Sequence, residues 1–439
     1  MKISHIIASG ALLVSSQSSL ANTDQVDLKQ ELSSYFLQEK IYRITDSDLS
    51  IREDLGESWI NNSKQHELEV IRDGVDQLGN LMLGTYVIDD SPALNTNLSE
   101  EITSGRQDYR ILRDAHPKGH QCVTATFDVE DNTFFPFGSF LGDSAQHEAV
   151  IRYSTATASP TSDATKGALG GTIKVLMGEQ THDFVMISAD TLPTDTAEEF
   201  INLTKVARLA NCVSTIPESP GSDSLFGALY RFEQQVSAVG QCVSEAGLSI
   251  LDIPEVVISL NRLNNSTESS EIESVFDKSF FGISPYAFDD TVFKFEMSQT
   301  ECSEVNSENL SLTEEEALQD NGLENNIKRV LSAGTACYDF NVVARPYWLT
   351  NKQAIETHTK TWDEMSFSTL ERTKVATVVV SQSDPATEIS ALTCDEMRFT
   401  PKNTADRFRP LGSINRARTI VYDALSEFRL EANDYLRQQ

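Results

Sequence analysis

The sequence predicts an α+β protein: an eight-stranded antiparallel β-barrel with helical insertions and a C-terminal helix. Three observations carry this reading. From Cys122 the apolar residues repeat at a period of two, first as Val123, Ala125, Phe127 and Val129 and then in seven further short runs. After the fourth run, and again after the fifth, the period changes to a helical one. The last segment, 413–435, carries an apolar stripe at three-or-four spacing, Ala417, Val421, Ala424 and Phe428. Four strands on each side of the first insertion make eight. That is enough to close a barrel whose interior is filled by side chains or by one small ligand.

Length and charge narrow the setting. A chain of 439 residues can hold one large domain with insertions, or two ordinary ones. Its 39% hydrophobic and 23% charged residues fit a soluble globular protein. The formal net charge of −31 argues against nucleic acid and anionic membrane surfaces as partners, because both require clustered Lys and Arg. Residues 1–21 read as a signal peptide: a weakly basic start at Met1-Lys2, a short apolar run over 6–16, and Ser19-Leu20-Ala21 as a cleavage site before Asn22. This predicts a periplasmic or secreted protein. The apolar run is too short to span a bilayer, and no later stretch is longer, so no stable membrane insertion is expected. Export agrees with the six cysteines, Cys122, Cys212, Cys242, Cys302, Cys337 and Cys394, which permit three disulfides. Cys212–Cys242 and Cys302–Cys337 are the preferred pairs, since each flanks a helical insertion. No cysteine pair has zinc-ligand spacing.

Taken in order, residues 22–105 form a helical extension with apolar spacing at Leu28, Leu32, Phe36 and Ile41, interrupted by Gly56 and the polar run 61–65. The barrel domain occupies 106–439. Its first strands, 123–129, 149–155, 171–177 and 182–188, are separated by clusters of Pro, Ser, Asp and Gly, as in an antiparallel meander. A helical insertion follows near 195–275. The strand at 291–297 comes after the loop 280–286, and a second, acidic insertion lies near 300–335. Strands at 337–344, 374–382 and 391–399 complete the eight, and Ser413 caps the final helix.

Polar side chains with chemical potential sit at the strand ends. His116 precedes the first strand, with Arg113 three residues before it. A lone histidine there is ordinarily surface or hydrogen-bonded packing. Alternation, however, puts Arg152 and Ser154 on one face of the next strand, and helical spacing puts Arg418, Tyr422, Leu425 and Arg429 on one face of the last helix. The plain reading of that helix is a surface salt-bridged to acidic neighbours such as Asp423 and Glu427. His120 reads as structural, and His147 and His182 as surface residues.

These residues carry a resemblance. Arg113-x-x-His116-x-Lys118-Gly119 ahead of an alternating strand is similar to the start of the catalase barrel. Ile151-Arg-Tyr-Ser-Thr155, then Ser159-Pro and Asp163, then 170–174 resemble its next two strands. The segment 409–418, Arg-Pro-Leu-Gly-Ser-Ile-Asn-Arg-Ala-Arg, resembles the ending of the small catalase-like branch, which lacks the long C-terminal domains of full-size catalases. Pro285-Tyr286 before a strand, Ile355-Glu356, Trp362 and Val375-Ala376 extend the likeness in patches over 105–435.

The resemblance implies a haem b (iron protoporphyrin IX) cofactor and roles for particular residues. Tyr422 takes the place of the axial ligand to the haem iron, with Arg418 one turn before it as the cation that favours a phenolate. Arg429 matches a haem-contacting arginine, and Arg113 and Arg152 match arginines that bind haem propionates. His116 matches the distal acid–base group, oriented by Ser154, and imidazole suits proton shuttling near neutral pH. Three departures mark the sequence; two stand against fast disproportionation of hydrogen peroxide, and the third, Pro117, should be tolerable in a loop. The register gives Ile187 or Ser188 where larger catalases have a distal asparagine. Leu169-Gly170 replaces an Arg-Gly pair, and Pro117 replaces an alanine. The expected activity is therefore that of an exported haem oxidoreductase of catalase or peroxidase type, acting on hydrogen peroxide or organic hydroperoxides. The alternatives are a lipid-hydroperoxide isomerase of allene oxide synthase type, and a non-catalytic haem-binding or haem-free periplasmic module.

Overall fold

The computed structural model describes residues 23–84, 110–156, 162–164, 167–202, 205, 273–301, 310–381 and 389–438. The expected signal peptide, most of the expected first helical insertion and the expected Cys212–Cys242 pair lie outside the described residues. The helices used below are α1 (Thr23–Leu32), α2 (Gln38–Arg43), α3 (Lys64–Gly84), α4 (Gly322–Ala333), α5 (Asn351–Glu356), α6 (Trp362–Ser366), α7 (Ala391–Glu396) and α8 (Gly412–Gln438). Among the described residues no helix is long and apolar enough to cross a membrane.

The N-terminal segment is helical, as its spacing predicts, and α3 adds 21 residues where the sequence reads as mixed and polar. Its buried residues Leu68, Ile71, Val75, Leu78 and Met82 recur at three-or-four spacing. They pack against Ala417, Val421 and Phe428 of α8 in one apolar cluster. Arg416 locks this layer to the rest: its guanidinium bonds Glu67 at 2.7 Å and Glu57 at 2.5 Å, all three residues being buried.

The sheet is built from β1 (Gly119–Val129), β2 (Ala145–Thr155), β3 (Leu169–Met177), β4 (Gln180–Phe184), β5 (Phe280–Phe281), β6 (Tyr286–Phe288), β7 (Thr291–Thr300), β8 (Ala336–Ala344), β9 (Thr373–Val380) and β10 (Phe408–Pro410). Nine of these lie in the order β10-β6-β7-β8-β9-β1-β2-β3-β4, with β5 attached to β7, and every pairing is antiparallel. The expected closed, eight-stranded barrel is thus corrected to an open half-barrel of ten strands. Among the described residues β5 is only two residues long and forms a ladder with β7 alone. The gap from β3 to β5 is crossed by two single-residue bridges through Ile187, to Gly170 and to Phe281. The run 391–399, read as a strand, is instead helix α7. Ser390 caps it by accepting a hydrogen bond from the Thr393 amide at 3.1 Å.

Alternation delivers a phenylalanine-rich interior. Phe127, Phe184, Phe295 and Phe340 pack at ring separations of 4.6–5.8 Å. His182 is not a surface residue as expected but lies in this interior. It shares a strand face with Phe184, and its ring stands 4.2 Å from the Phe184 ring. Burial is tolerable because its Nδ1 accepts the Ala405 amide at 2.9 Å, and burial pushes its pKa down to about 3, so it is neutral. His147 is half-buried within β2, opposite Phe127 of β1, rather than a surface residue beside a strand. His120 is structural as expected, buried between Thr155 and Asp163. One disulfide, Cys122–Cys394, joins β1 to the end of α7. Cys337 is also disulfide-bonded, to a partner outside the described residues.

Candidate functional site

The sheet edge at the start of β1 holds an imidazole in a made-to-measure seat. His116 Nδ1 lies 3.1 Å from Ser154 Oγ on β2. The backbone at His116 takes a positive φ of 55°, a conformation costing an L-residue about 1 kcal/mol or more. It is held there by Arg152, whose Nη2 donates to the His116 carbonyl at 2.8 Å. Beneath the ring is Gly170 on β3. A Cβ at that position would lie 2.5 Å from Ser154 Oγ and 2.6 Å from His116 Nδ1. The imidazole occupies the volume that any side chain at 170 would fill. Burial, then the charges of Arg152, Arg418 and Arg113, depress its pKa to about 3. The ring is therefore neutral, and its Nε2 makes no hydrogen bond to another described residue.

Beside it four guanidinium groups gather near the end of α7, and two of them bond the carboxylate of Asp395. Asp395, 4% exposed at the end of α7, bonds Arg110 Nε at 3.0 Å and Arg429 Nη1 at 3.2 Å through Oδ2. Arg113 Nη2 donates to the carbonyls of Cys394 at 3.0 Å, Asp395 at 2.7 Å and Met397. Burial alone would raise the Asp395 pKa, but the charges of Arg429, Arg110, Arg113 and Arg152 outweigh it and hold it at about 2. Nearby Asp114 is driven the other way, to about 6, chiefly by burial. Each of the four arginines retains a buried donor with no hydrogen-bond partner among the described residues: Arg110 Nη1, Arg113 Nε, Arg152 Nε and Arg429 Nη2. Arg113 Nε comes within 3.8 Å of Asp395 Oδ1, an ion-pair distance but not a hydrogen bond.

On α8, Arg418 lies over the ring of Tyr422, 5.6 Å from its centroid, and bonds Asn415 Oδ1 at 3.3 Å. Arg418 pairs with neither Asp423 nor Glu427. Those acids bind Lys402 and Lys40 instead, so the salt-bridged surface reading does not describe this face. Tyr422 is half-buried against the α3–α8 cluster, and no hydrogen bond joins its hydroxyl to another described residue.

The structure therefore gathers His116, Ser154, Arg113, Arg152 and Arg429 into one neighbourhood. It places Arg418 within electrostatic reach of His116, and Tyr422 against Arg418 on the same helix. Arg110, Asp114 and Asp395 belong to this neighbourhood and went unmarked in the sequence, and Gly170, noted there only beside Leu169, proves to be the seat of the ring. The departures also find places. Leu169 turns into the barrel core. Ser188 Oγ is used in accepting the Leu169 amide at 2.9 Å. Ile187 sits opposite Gly170, as Gly170 sits opposite Ser154, and Phe281 opposes Ile187 in turn. Directly opposed residues put their side chains on one face. The contacts awaiting a Cβ at 170 identify that face as the imidazole's. Both Ile187 and Phe281 are half-buried there.

Comparison with known proteins gives a fold. No family model and no curated protein matches the chain. Among solved structures it is similar to a fungal catalase, with a TM-score of 0.51 and 14% identity over 78% of this chain and 64% of that one. A bacterial catalase (TM-score 0.49, 13% identity, 78% and 62% covered) and catalase A from Saccharomyces cerevisiae (0.49, 13%, 76% and 64%) also match. The fold is catalase-like, and the chain spans less than two thirds of the length of the fungal catalase.

Proposed function

We propose that a chain with this catalase-like fold is an exported haem-b protein that reacts with peroxides, and that organic hydroperoxides suit its site better than hydrogen peroxide. The observation that carries the reading is the neutral His116 imidazole, seated over Gly170 and bonded to Ser154, beside four arginines with unpartnered buried donors. Such donors cost free energy until an anion satisfies them, and paired carboxylates match guanidinium forks. Arg113, Arg152 and Arg429 would hold the propionates of haem, and Tyr422, beside the Arg418 cation, would hold its iron. When bound, haem supplies an iron centre at which the peroxide O–O bond is polarised.

The residues of the chain do the rest. His116 Nε2 takes a proton from one peroxide oxygen and delivers it to the other. A ring this reluctant to stay protonated passes the proton on rather than keeping it. Ser154 keeps the ring oriented during the exchange. Ile187 and Phe281 line the same face with hydrocarbon and offer no donor to a second O–H, so an alkyl or aryl substituent is the better occupant. Export to an oxidising compartment accords with the Cys122–Cys394 disulfide.

The test is the absorption spectrum of protein expressed with added haem. A Soret band with high-spin ferric tyrosinate features is expected, and Tyr422→Phe should lose those features. A colourless protein would overturn the reading. Consumption of cumene hydroperoxide with oxidation of a phenolic dye, at a kcat/KM above that for hydrogen peroxide, is expected; rapid oxygen release from hydrogen peroxide would refute the substrate preference.

A further inference from the structure

Asp395 is the one feature common to the arginine cluster. Its carboxylate takes Arg110 and Arg429, and its carbonyl takes Arg113 and Arg429, at 2.7 and 2.5 Å. Three of the four guanidinium groups are thus spread around the end of a single six-residue helix. That helix end is fixed twice over. Cys394, the residue before Asp395, is disulfide-bonded to Cys122 on β1, and Cys122 pairs across the sheet with Arg152, the fourth arginine. Glu396 adds a second carboxylate, 3.4 Å from Arg110 and shared with Arg437 on the protein's surface. The four arginines outnumber the carboxylates around them, Asp395, Asp114 and the Glu396 that Arg437 shares, so the cluster keeps a net positive charge.

Each arginine uses some of its donors on this frame and keeps one buried donor unsatisfied. If the carboxylate were absent, the guanidinium groups would repel one another and turn to satisfy those donors on one another's former partners.

We infer that Asp395 is a positioning residue: its carboxylate sets the spacing of Arg110 and Arg429 beside Arg113 so that the cluster receives a ligand bearing two carboxylates. This rests on the haem reading above but concerns a residue that would not itself touch the cofactor. It requires selectivity for free porphyrin carboxylates, and that selectivity should be lost without Asp395.

The experiment uses the full mature chain and two metal-free probes, protoporphyrin IX and its dimethyl ester, with binding read from quenching of protein fluorescence. Wild type should prefer the free acid by about 100-fold, the scale of charge-assisted hydrogen bonds to two carboxylates. Asp395→Asn should reduce that preference to below about 10-fold while circular dichroism stays unchanged, and Asp395→Glu should restore part of it. A folded Asp395→Asn protein that keeps the full preference would show that Asp395 is merely structural. Should Asp395→Asn not fold, Asp395→Glu decides: its longer carboxylate must lower the preference, and an unchanged ratio refutes positioning. Wild type that binds both porphyrins equally refutes this inference and spares the haem reading. Wild type that binds neither overturns both.

Discussion

Replacing Gly170 with alanine is the most direct test of how the imidazole is seated. The added methyl would lie 2.5 Å from Ser154 Oγ, 2.6 Å from His116 Nδ1 and 3.0 Å from His116 Cε1. Ordinary carbon contacts begin near 3.4 Å, so the ring and the hydroxyl must each retreat by about 1 Å. Neither can do so freely. The His116 carbonyl is tied to Arg152 at 2.8 Å, and Ser154 can rotate away only by giving up its 3.1 Å bond to the ring. The strand itself tolerates alanine, since Gly170 does not adopt a positive φ. Overpacking should cost about 1–3 kcal/mol of stability, leaving the protein folded. A catalytic group displaced by about 1 Å should lose about 100-fold in kcat/KM. The assay is steady-state turnover of cumene hydroperoxide on haem-loaded protein, with the absorption spectrum and circular dichroism as controls. A Gly170→Ala protein within about threefold of wild type would refute the idea that the ring is fixed by this seat.

Two pH dependences follow from the buried histidines. With a pKa of about 3, His116 stays neutral down to mildly acidic solution, so kcat/KM should be level from about pH 5 to 8; an inflection near 6.5 that vanishes in His116→Gln would contradict this. Stability should behave differently. His120, at about 4, and His182 and His358, at about 3, are depressed from 6.5, so the unfolded chain binds more protons than the folded one once the pH falls below 6.5. Their contribution is complete above 6.5 and is lost as pH falls toward those values, together at up to about 4 kcal/mol per pH unit. Asp114, raised to about 6, acts in the opposite sense and offsets one such site. Urea midpoints at pH 7, 6 and 5 should therefore drop steadily; a constant midpoint would rule the linkage out.

Local periodicity made the strands legible and misjudged how they close. Val123, Ala125, Phe127 and Val129 announce β1 because one face of that strand meets the core and the other does not. The two-residue β5 and three-residue β10 have no room for a repeat, so nothing in Phe280-Phe281 or Phe408-Arg409-Pro410 marks them as paired. In 391–399, Leu392, Cys394 and Met397 can be read as alternation or as one side of a short helix. Ser390 decides for the helix by capping it. The seam of the half-barrel is set by Ile187, a residue whose only ladder contacts are with Gly170 and Phe281, about a hundred residues apart in the chain.

The site divides along the same line. His116, Ser154, Arg113, Arg152 and Arg429 could be picked out because they stand in motifs that resemble those of catalases; spacing alone placed only Arg152 with Ser154, and Arg429 with Arg418 and Tyr422, on shared faces. Gly170 and Asp395 could not, for opposite reasons. Gly170 acts through atoms it lacks, and its importance exists only once β3 lies against β2 and the ring lies on top. Asp395 acts through charge, and a carboxylate among 66 acidic residues is invisible until four arginines from three separate segments surround it. The acidity that governs the whole surface thus hides the carboxylate that two of the pocket's arginines bond directly. Its position next to Cys394 is the only local trace, since a disulfide at that point fastens the helix end against the strand carrying the arginines' opposite wall. A chain that kept His116 and Tyr422 but lost this frame would retain the familiar residues and none of the geometry that lets them act together.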